Sequence, residues 1–159
     1  MEILPMKKSI IFLHSYHNMN TQKISMAIAE KINASVINVT DIKTPIELDS
    51  FDLIGFGAGI DSGKHYPEML KFADTLNNIQ NKKAFIFSTS GVYTYKKMVK
   101  DHTALRTLLQ NKGFKIVDEF GCKGLNTNSI LKYFGGMNKS RPNSEDIKNA
   151  KTFAEKLLK

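Results

Sequence analysis

Short apolar runs alternate with segments of helical periodicity along this chain, and this alternation restricts its fold more than any other feature. The runs Ser9–Leu13, Leu53–Phe56 and Ala84–Phe87 are almost entirely apolar, as expected of strands that are covered on both faces. An amphipathic helical pattern over residues 24–32 follows the first run. Alternation of this kind predicts a parallel sheet with helices on both faces.

The remaining pattern completes the predicted order of elements. Weak alternation over Ala34–Val39 predicts a short edge strand, and Phe114–Phe120 predicts a further strand. The pattern for a helix between the second and third strands is faint or missing. Further helices are indicated by apolar stripes at Met69–Leu76, Leu105–Leu109 and Ile147–Leu157, with Pro67 early in the first and Asn143 or Ser144 as the cap of the last.

The length of 159 residues and the hydrophobic content of 42% predict a single domain, residues 1–159. Residues 1–6 can be interpreted as a loose N-terminal extension, because the first strand is predicted to begin after them. No apolar run reaches the roughly 18 residues of a membrane span, and the first one is too short for a signal peptide. The single cysteine, Cys122, excludes an internal disulfide and favours a reducing compartment, so a cytoplasmic location is expected.

The net charge of +8 is distributed unevenly along the chain. Residues 1–80 contain 7 Lys and 9 Asp or Glu, a net of −2, whereas residues 81–159 contain 16 Lys or Arg and 6 Asp or Glu, a net of +10. This imbalance fits either an ordinary solvated surface or attraction to an acidic partner or anionic substrate. The lysines are scattered and no known binding module occurs, so nucleic acid is not expected as a partner.

The segments that follow the predicted strands do not match common nucleotide or metal motifs. Residues 57–65, GAGIDSGKH, resemble a Walker A loop, but Ala58 stands where glycine is needed and His65 replaces Ser or Thr. No GxGxxG motif occurs in the chain. His14 and His17 lack a third ligand nearby in the sequence, so no metal site is predicted.

Residues 14–24, HSYHNMNTQKI, contain no glycine but suit a terminal phosphate. Ser15, Asn20 and Thr21 supply hydroxyl and amide groups, and His17 can donate a proton. The amides at a helix N-terminus would also favour an anion. The alternative is a plain helix start with Asn20 or Thr21 as the N-cap, and the residues alone leave both interpretations open.

Three segments in this order resemble the cofactor loops of flavodoxins: HSYHNMNTQKI, GAGIDSGKH and STSGVY, the last at residues 88–93. The first loop, together with CKG at residues 122–124 and GGMNKSRPN at residues 135–143, is similar to flavodoxin-like proteins with the loop Ser-x-His-x-x-Asn-Thr. The resemblance covers nearly the whole chain. It implies an α/β, flavodoxin-like three-layer sandwich, with a five-stranded parallel sheet of order 2-1-3-4-5 and helices on both faces.

The resemblance also implies a bound FMN and the residues that would hold it. The first loop would bind the phosphate, the backbone of the second would face flavin N5, and the third would border the ring and ribityl chain. Gly57, Gly59 and Gly63 would give the second loop backbone freedom when the flavin takes up a proton. The implied cofactor-binding residues are Ser15, His17, Asn18, Met19, Asn20, Thr21, Ala58, Gly59, Ile60, Asp61, Ser62, Gly63, Ser88, Thr89, Ser90, Gly91, Val92 and Tyr93.

Two features depart from the flavodoxin pattern. Asp61 and Ser62 stand where an aromatic side chain would stack on the flavin ring. Electron-carrier flavodoxins are typically acidic, whereas this chain is basic, which implies either different redox partners or a role other than that of a carrier. The aromatic residues that could replace the missing one are His65, Tyr66, Tyr93 and Tyr95.

The resemblance implies an FMN-binding electron-transfer protein that serves redox partner proteins, acidic ones among the candidates. An FMN-dependent NAD(P)H:quinone-type reductase and a flavodoxin-fold binding module with weak or no flavin binding are the alternatives. A reductase would turn over NAD(P)H unaided, and a binding module would ignore added FMN. A carrier is favoured, and no side chain is assigned a catalytic role.

Two features near the end of the chain have open interpretations. The apolar segment Ser129–Lys139 is interpreted as a lid over the flavin, as a docking surface or as a loop tucked against the core. Cys122 follows a predicted strand, and a packing role is favoured over a catalytic thiol because no base is evident beside it.

Overall fold

A computed structural model of the chain describes residues 8–15, 19–124 and 140–159. Strands and helices alternate as predicted, and a short 3-10 helix, Val39–Asp41, follows the second strand where the helical pattern is faint. The other elements, in chain order, are β1 (Ser9–His14), α1 (Asn20–Ile32), β2 (Ala34–Asn38), β3 (Leu53–Asp61), β4 (Lys64–His65), α2 (Pro67–Thr75), β5 (Lys82–Ser90), α3 (Tyr95–Asp101), α4 (Thr103–Asn111), β6 (Phe114–Lys123) and α5 (Ser144–Leu157).

The sheet has the predicted topology with one small addition. Its parallel strands lie in the order β2-β1-β3-β5-β6, which is the predicted order 2-1-3-4-5 when only the parallel strands are numbered. The addition is β4, a two-residue strand that pairs antiparallel with the end of β3. The short strand β2 lies at an edge, as expected from its weak alternation.

Helices cover both faces of the sheet and bury a core on each. Helices α1 and α5 pack against each other over one face, where Ile11 and Phe85 are buried with Phe153. Helices α2 and α4 cover the opposite face, where Phe12 and Leu105 are buried. Neighbouring residues of β1 thus enter different cores, which explains why this strand is a continuous apolar run.

Two helix starts follow the sequence prediction. Pro67 occupies the first turn of α2, where its missing amide hydrogen is not needed. Asn143 caps α5: its Oδ1 accepts from the amide of Asp146 at 2.9 Å, and the Asp146 carboxylate accepts from the amide of Asn143 at 2.8 Å. Arg141 also pairs with the Asp146 carboxylate, which fixes the chain before this helix.

The strands β3, β5 and β6 extend beyond the predicted runs at their carboxyl ends. They continue to Asp61, Ser90 and Lys123, so the segments predicted as loops begin as strands. Within the described residues, no helix is long and apolar enough to cross a membrane.

Candidate functional site

The carboxyl ends of the three central strands lie side by side. They form one end of the sheet, which is called the carboxyl edge below and is distinct from the edge strands. His14 of β1 is in register with Ala58 of β3, and Ala58 is in register with Ser88 of β5. The three segments expected to bind a cofactor therefore start from adjacent positions. Ligands of parallel α/β sheets bind at this edge, so it is the candidate functional site.

The first segment leads directly into α1. Met19 precedes the helix with a left-handed backbone, φ 54°, and the helix begins at Asn20. The alternative in which Asn20 or Thr21 serves as the N-cap is therefore wrong, since both lie inside the first turn. The side chain of Ser15 serves this turn instead, because its Oγ accepts from the amide of Gln22 at 3.3 Å.

The first turn of α1 is held by contacts with two other strand ends. The hydroxyls of Thr21 and Thr89 share a hydrogen bond of 2.8 Å, which ties α1 to the end of β5. A Cβ added at Gly124 would lie 2.7 Å from Nδ2 of Asn20, so only glycine leaves room for this amide. Asn20 and Thr21 are both buried, and their positions are set by packing as well as by the helix.

The second segment is a β-hairpin rather than an open loop. Asp61 pairs with Lys64, and the turn between them consists of Ser62 and Gly63, with φ values of 54° and 79°. Two left-handed residues in a two-residue turn are typical of a type I′ hairpin. Ala58, Gly59, Ile60 and Asp61 therefore belong to β3, and the exposed peptide groups at the tip are those of Ser62 and Gly63.

Two of the three glycines of this segment have a packing role that was not expected from the sequence. Gly63 has a positive φ, but Gly57 and Gly59 do not. A Cβ at Gly57 would lie 2.1 Å from the ring of Phe87, and one at Gly59 would lie 2.6 Å from the ring of Tyr66. Neither Gly57 nor Gly59 needs glycine for its φ in this structure, and both make room for aromatic rings.

The third segment divides its side chains between the two faces of the sheet. The hydroxyl of Ser88 bonds to His102 beside α4, whereas that of Thr89 bonds to Thr21 of α1. Ser90 ends the strand, and Gly91, Val92 and Tyr93 continue at the edge of the sheet. Tyr93 is half-buried, and burial, followed by the proximity of Cys122 and Tyr95, raises the pKa of its hydroxyl.

The four aromatic candidates for flavin stacking differ in accessibility. His65 is 0% exposed and donates from Nε2 to the carbonyl of Phe87 at 3.1 Å, so its proposed stacking role is wrong. Tyr66 packs over Gly59 and meets the ring of His14 edge to face. Tyr95 is exposed and Tyr93 is half-buried, and both follow β5 at the carboxyl end of the sheet.

Comparison with known proteins identifies the family. A family model described as a flavodoxin domain matches residues 11–157, nearly the whole chain. The chain belongs to the flavodoxin domain family. The sequence resemblance is thereby confirmed, and with it the flavodoxin-like fold.

This flavodoxin-family chain is 47% identical over 152 residues to an uncharacterized protein of Methanocaldococcus jannaschii, covering 96% of this chain and 99% of that protein. A solved flavodoxin from the domain Archaea superposes with a TM-score of 0.71 at 19% identity, covering 94% of this chain and 95% of the other. Flavodoxin 1 from Bacillus cereus superposes with a TM-score of 0.70 at 20% identity, covering 96% and 97%. A flavoprotein of Lactobacillus acidophilus, solved in complex with FMN, superposes with a TM-score of 0.56 at 15% identity, covering 72% and 93%. At these identities the solved structures support the fold alone.

A buried polar network lies beside the hairpin of this flavodoxin-family chain and was not predicted from the sequence. Nε2 of His102 lies 2.7 Å from Oγ of Ser88, and Nδ1 lies 2.9 Å from Oε1 of Glu119. Arg106 donates to both carboxylate oxygens of Glu119, each at 2.8 Å. The ring of His65 lies 4.8 Å from that of His102, which connects the hairpin to the network.

The pKa values of two groups at this network, Glu119 and His65, are far below their ordinary values. Burial alone would raise the pKa of Glu119, but hydrogen bonds from His102 and Arg106 lower it to about 2. Glu119 is therefore an ionised acceptor, and Nδ1 of His102 carries the proton between them. Burial, reinforced by the proximity of His102, lowers the pKa of His65 to about 3, so that ring is neutral.

The contacts of Ser88, His102 and Glu119 follow the order nucleophile, base and acid, but their burial argues against hydrolytic chemistry. Ser88 is 3% exposed and His102 is 0% exposed, so a substrate has no access to the serine oxygen. The network instead connects β4, β5, β6 and α4. It fixes the hairpin and the end of β5, both of which border the candidate site.

Cys122 is a packing residue in the flavodoxin-family fold. It is buried among the side chains between the sheet and α5, and burial, followed by the nearby Asp146 carboxylate, raises its thiol pKa to about 12. The thiol therefore stays protonated near neutral pH, as the prediction of a packing role requires.

Several predicted features cannot be placed. His17, Asn18, residues 1–6 and the segment Ser129–Lys139 lie outside the described residues. Among those described, no group of three or more His, Cys, Asp or Glu side chains could hold a metal ion.

Proposed function

We propose that this protein binds one FMN non-covalently at the carboxyl edge of its sheet and transfers electrons between partner proteins. The observation that carries the proposal is the register of His14, Ala58 and Ser88, which brings three flavodoxin-like segments together at one edge. When bound, FMN would supply the redox chemistry. The chain would position the flavin and set its electrostatic surroundings.

The start of α1 fits a phosphate group. Met19 has a left-handed backbone and is followed directly by helical residues, a combination that can form an anion-binding nest of amides without a glycine. The 13-residue helix adds the partial positive charge of its N-terminus. Ser15, Met19, Asn20 and Thr21 would hold the phosphate, with His17 and Asn18 assigned by resemblance.

The hairpin and the third segment fit the flavin itself. The peptide groups of the exposed turn Ser62-Gly63 would face the flavin, and the buried network behind the turn keeps the hairpin in place. Gly91, Val92 and Tyr93 would border the ring. Because Asp61 and Ser62 provide no aromatic face, Tyr93 is the ring proposed for stacking.

The first experiment is a visible spectrum of the purified protein, followed by titration with FMN while its fluorescence is monitored. A flavin spectrum, or quenching with submicromolar affinity, is expected. Asn20→Ala should weaken FMN binding by about tenfold, because the side chain that packs the first turn of α1 is lost. Asn149→Ala, at an exposed position of α5, is the matched control and should leave the affinity unchanged.

The outcomes separate three functions. A protein that binds FMN but is not reduced by NAD(P)H until a reductase is added is a carrier. Unaided turnover of NAD(P)H with a quinone would identify a reductase instead. A colourless protein that leaves FMN fluorescence unchanged would overturn the proposal and support a binding module.

A further inference from the structure

Helix α3 presents an exposed apolar and basic surface beside the proposed flavin site. We propose that this surface is the docking site for an acidic electron-transfer protein. The α3 surface consists of Val92, Tyr95, Lys96, Val99 and Lys100. The inference rests on the proposed function, because it names the kind of partner that would exchange electrons with the flavin.

The apolar part of the α3 surface is concentrated in eight residues. Of the seven large hydrophobic side chains that are exposed within the described ranges, three are Val92, Tyr95 and Val99, at 56%, 71% and 38% exposure. Tyr95 and Val99 are four residues apart and form one ridge of the helix. The core contact of α3 is made by Met98, which is buried, whereas the Tyr95–Val99 ridge stays exposed to solvent.

The basic part of the surface lies on the neighbouring ridge. Lys96 and Lys100 are exposed, are also four residues apart, and form no ion pair with a described residue. Lys97 pairs with the buried Asp101, so the single acid of α3 does not offset the other two lysines. Like charges at this spacing repel, and carboxylates of a docked partner would relieve that repulsion.

The position of α3 places a docked protein close to the candidate site. The helix follows the third cofactor segment, with only Thr94 between Tyr93 and its first residue. A Cβ added at Gly121 would lie 2.9 Å from Cγ of Met98, and one at Gly63 would lie 3.9 Å from Oδ1 of Asp101. The helix therefore packs between the hairpin tip and the end of β6, next to the proposed flavin site.

The mixture of side chains favours a protein over a nucleic acid. An exposed tyrosine flanked by two valines matches the apolar centre of a protein interface, and the lysines match its charged rim. Single-stranded nucleic acid could stack on Tyr95, but it offers no aliphatic surface for Val92 and Val99. The net charge of +10 in residues 81–159 would steer an acidic protein toward this half of the chain.

The test measures the binding of a fluorescently labelled, strongly acidic iron–sulfur ferredoxin by anisotropy at low ionic strength. Lys96→Glu/Lys100→Glu and, separately, Tyr95→Ser should each weaken binding by about tenfold. Lys83→Glu/Lys115→Glu is the matched control: these exposed lysines are paired in register at the start of β5 and β6, at the opposite edge of the sheet. The control should retain wild-type affinity within about twofold, and the wild-type affinity should fall steeply from roughly 20 to 300 mM salt.

Each alternative outcome overturns the proposal in a recognisable way. Equal losses of ferredoxin affinity in the control and in the Lys96/Lys100 variant would mean that binding depends only on the net charge of the protein and not on the α3 surface. Absence of ferredoxin binding, or tighter Tyr95-dependent binding of a labelled oligouridine, would also reject it. The anisotropy measurement needs no flavin, so failure of FMN binding in the preceding titration would reject the proposed function separately. Circular dichroism of every variant establishes that it is folded.

Discussion

The Ser88 hydroxyl lies 2.7 Å from Nε2 of His102, so a strand end at the candidate site is bonded to the junction of α3 and α4. Nδ1 of the same ring lies 2.9 Å from Oε1 of Glu119, so His102 connects the serine to a carboxylate on β6. A residue assigned to the flavin site by resemblance thus has a second task. Its backbone borders the site, while its side chain holds the structure behind it.

Ser88→Ala should lower the free energy of unfolding by about 1–2 kcal/mol, because Nε2 of His102 would remain buried without its partner. Urea unfolding followed by circular dichroism measures the change. Ser50→Ala, at an exposed turn, is the control and should change stability by less than about 0.5 kcal/mol. Equal effects of the two substitutions would show that the Ser88–His102 bond contributes nothing.

His65 should make the protein sensitive to mildly acidic pH. Its pKa falls from 6.5 to about 3 on folding, chiefly because the ring is buried. Below pH 6.5 the unfolded chain takes up a proton that the folded chain refuses, so stability decreases by up to about 1.4 kcal/mol per pH unit until the folded pKa is reached.

His65→Gln removes this titration while retaining a side-chain amide that can donate toward the Phe87 carbonyl. The variant should be less stable than the wild type at pH 7.5, and the difference should shrink by roughly 2 kcal/mol by pH 5. Urea unfolding at the two pH values checks this. A difference that stays constant would mean that folding does not lower the pKa of His65.

The contribution of Glu119 to stability should be lost at a more acidic pH than the effect of His65. It depends on the ion pair with Arg106. The folded pKa of Glu119, about 2, lies below the ordinary 4.5, so its stabilising effect is complete above about pH 4.5 and is lost as the pH falls through 2. Glu119→Gln should cost about 2 kcal/mol at pH 7, since Arg106 would lose its bidentate ionic partner. The loss should be much smaller near pH 2, whereas the exposed Glu47→Gln should be neutral at both pH values.

The fold was predictable because strands that are buried on both faces of a sheet appear in the sequence as continuous apolar runs. Ile11 and Phe12 are adjacent and enter opposite cores, so β1 has no polar face and its run is unmistakable. The cap at Asn143 was equally local, since its partner Asp146 is three residues away. Such features need no knowledge of distant parts of the chain.

The site was predictable only in outline. The three segments could be placed together because the carboxyl ends of parallel strands share one edge. The network could not, because Ser88, His102 and Glu119 lie on different elements and none is unusual in its own neighbourhood. The hairpin was missed as well: residues 57–65 were treated as a loop, although Ser-Gly is a common turn dipeptide, and its pairing of Asp61 with Lys64 was not considered.

Gly57 provides a test of whether its role is space or backbone freedom. A Cβ there would lie 2.1 Å from the ring of Phe87, so Gly57→Ala should cost about 1–3 kcal/mol of stability through overpacking. If space is the reason, Phe87→Leu should recover part of this loss: in urea unfolding, the double variant should be more stable than the sum of the two single changes implies. Gly113→Ala is the contrasting control, because its φ of 103° strains any other residue and the distant Phe87→Leu change should not rescue it. Additive effects of Gly57→Ala and Phe87→Leu would return the explanation to backbone freedom.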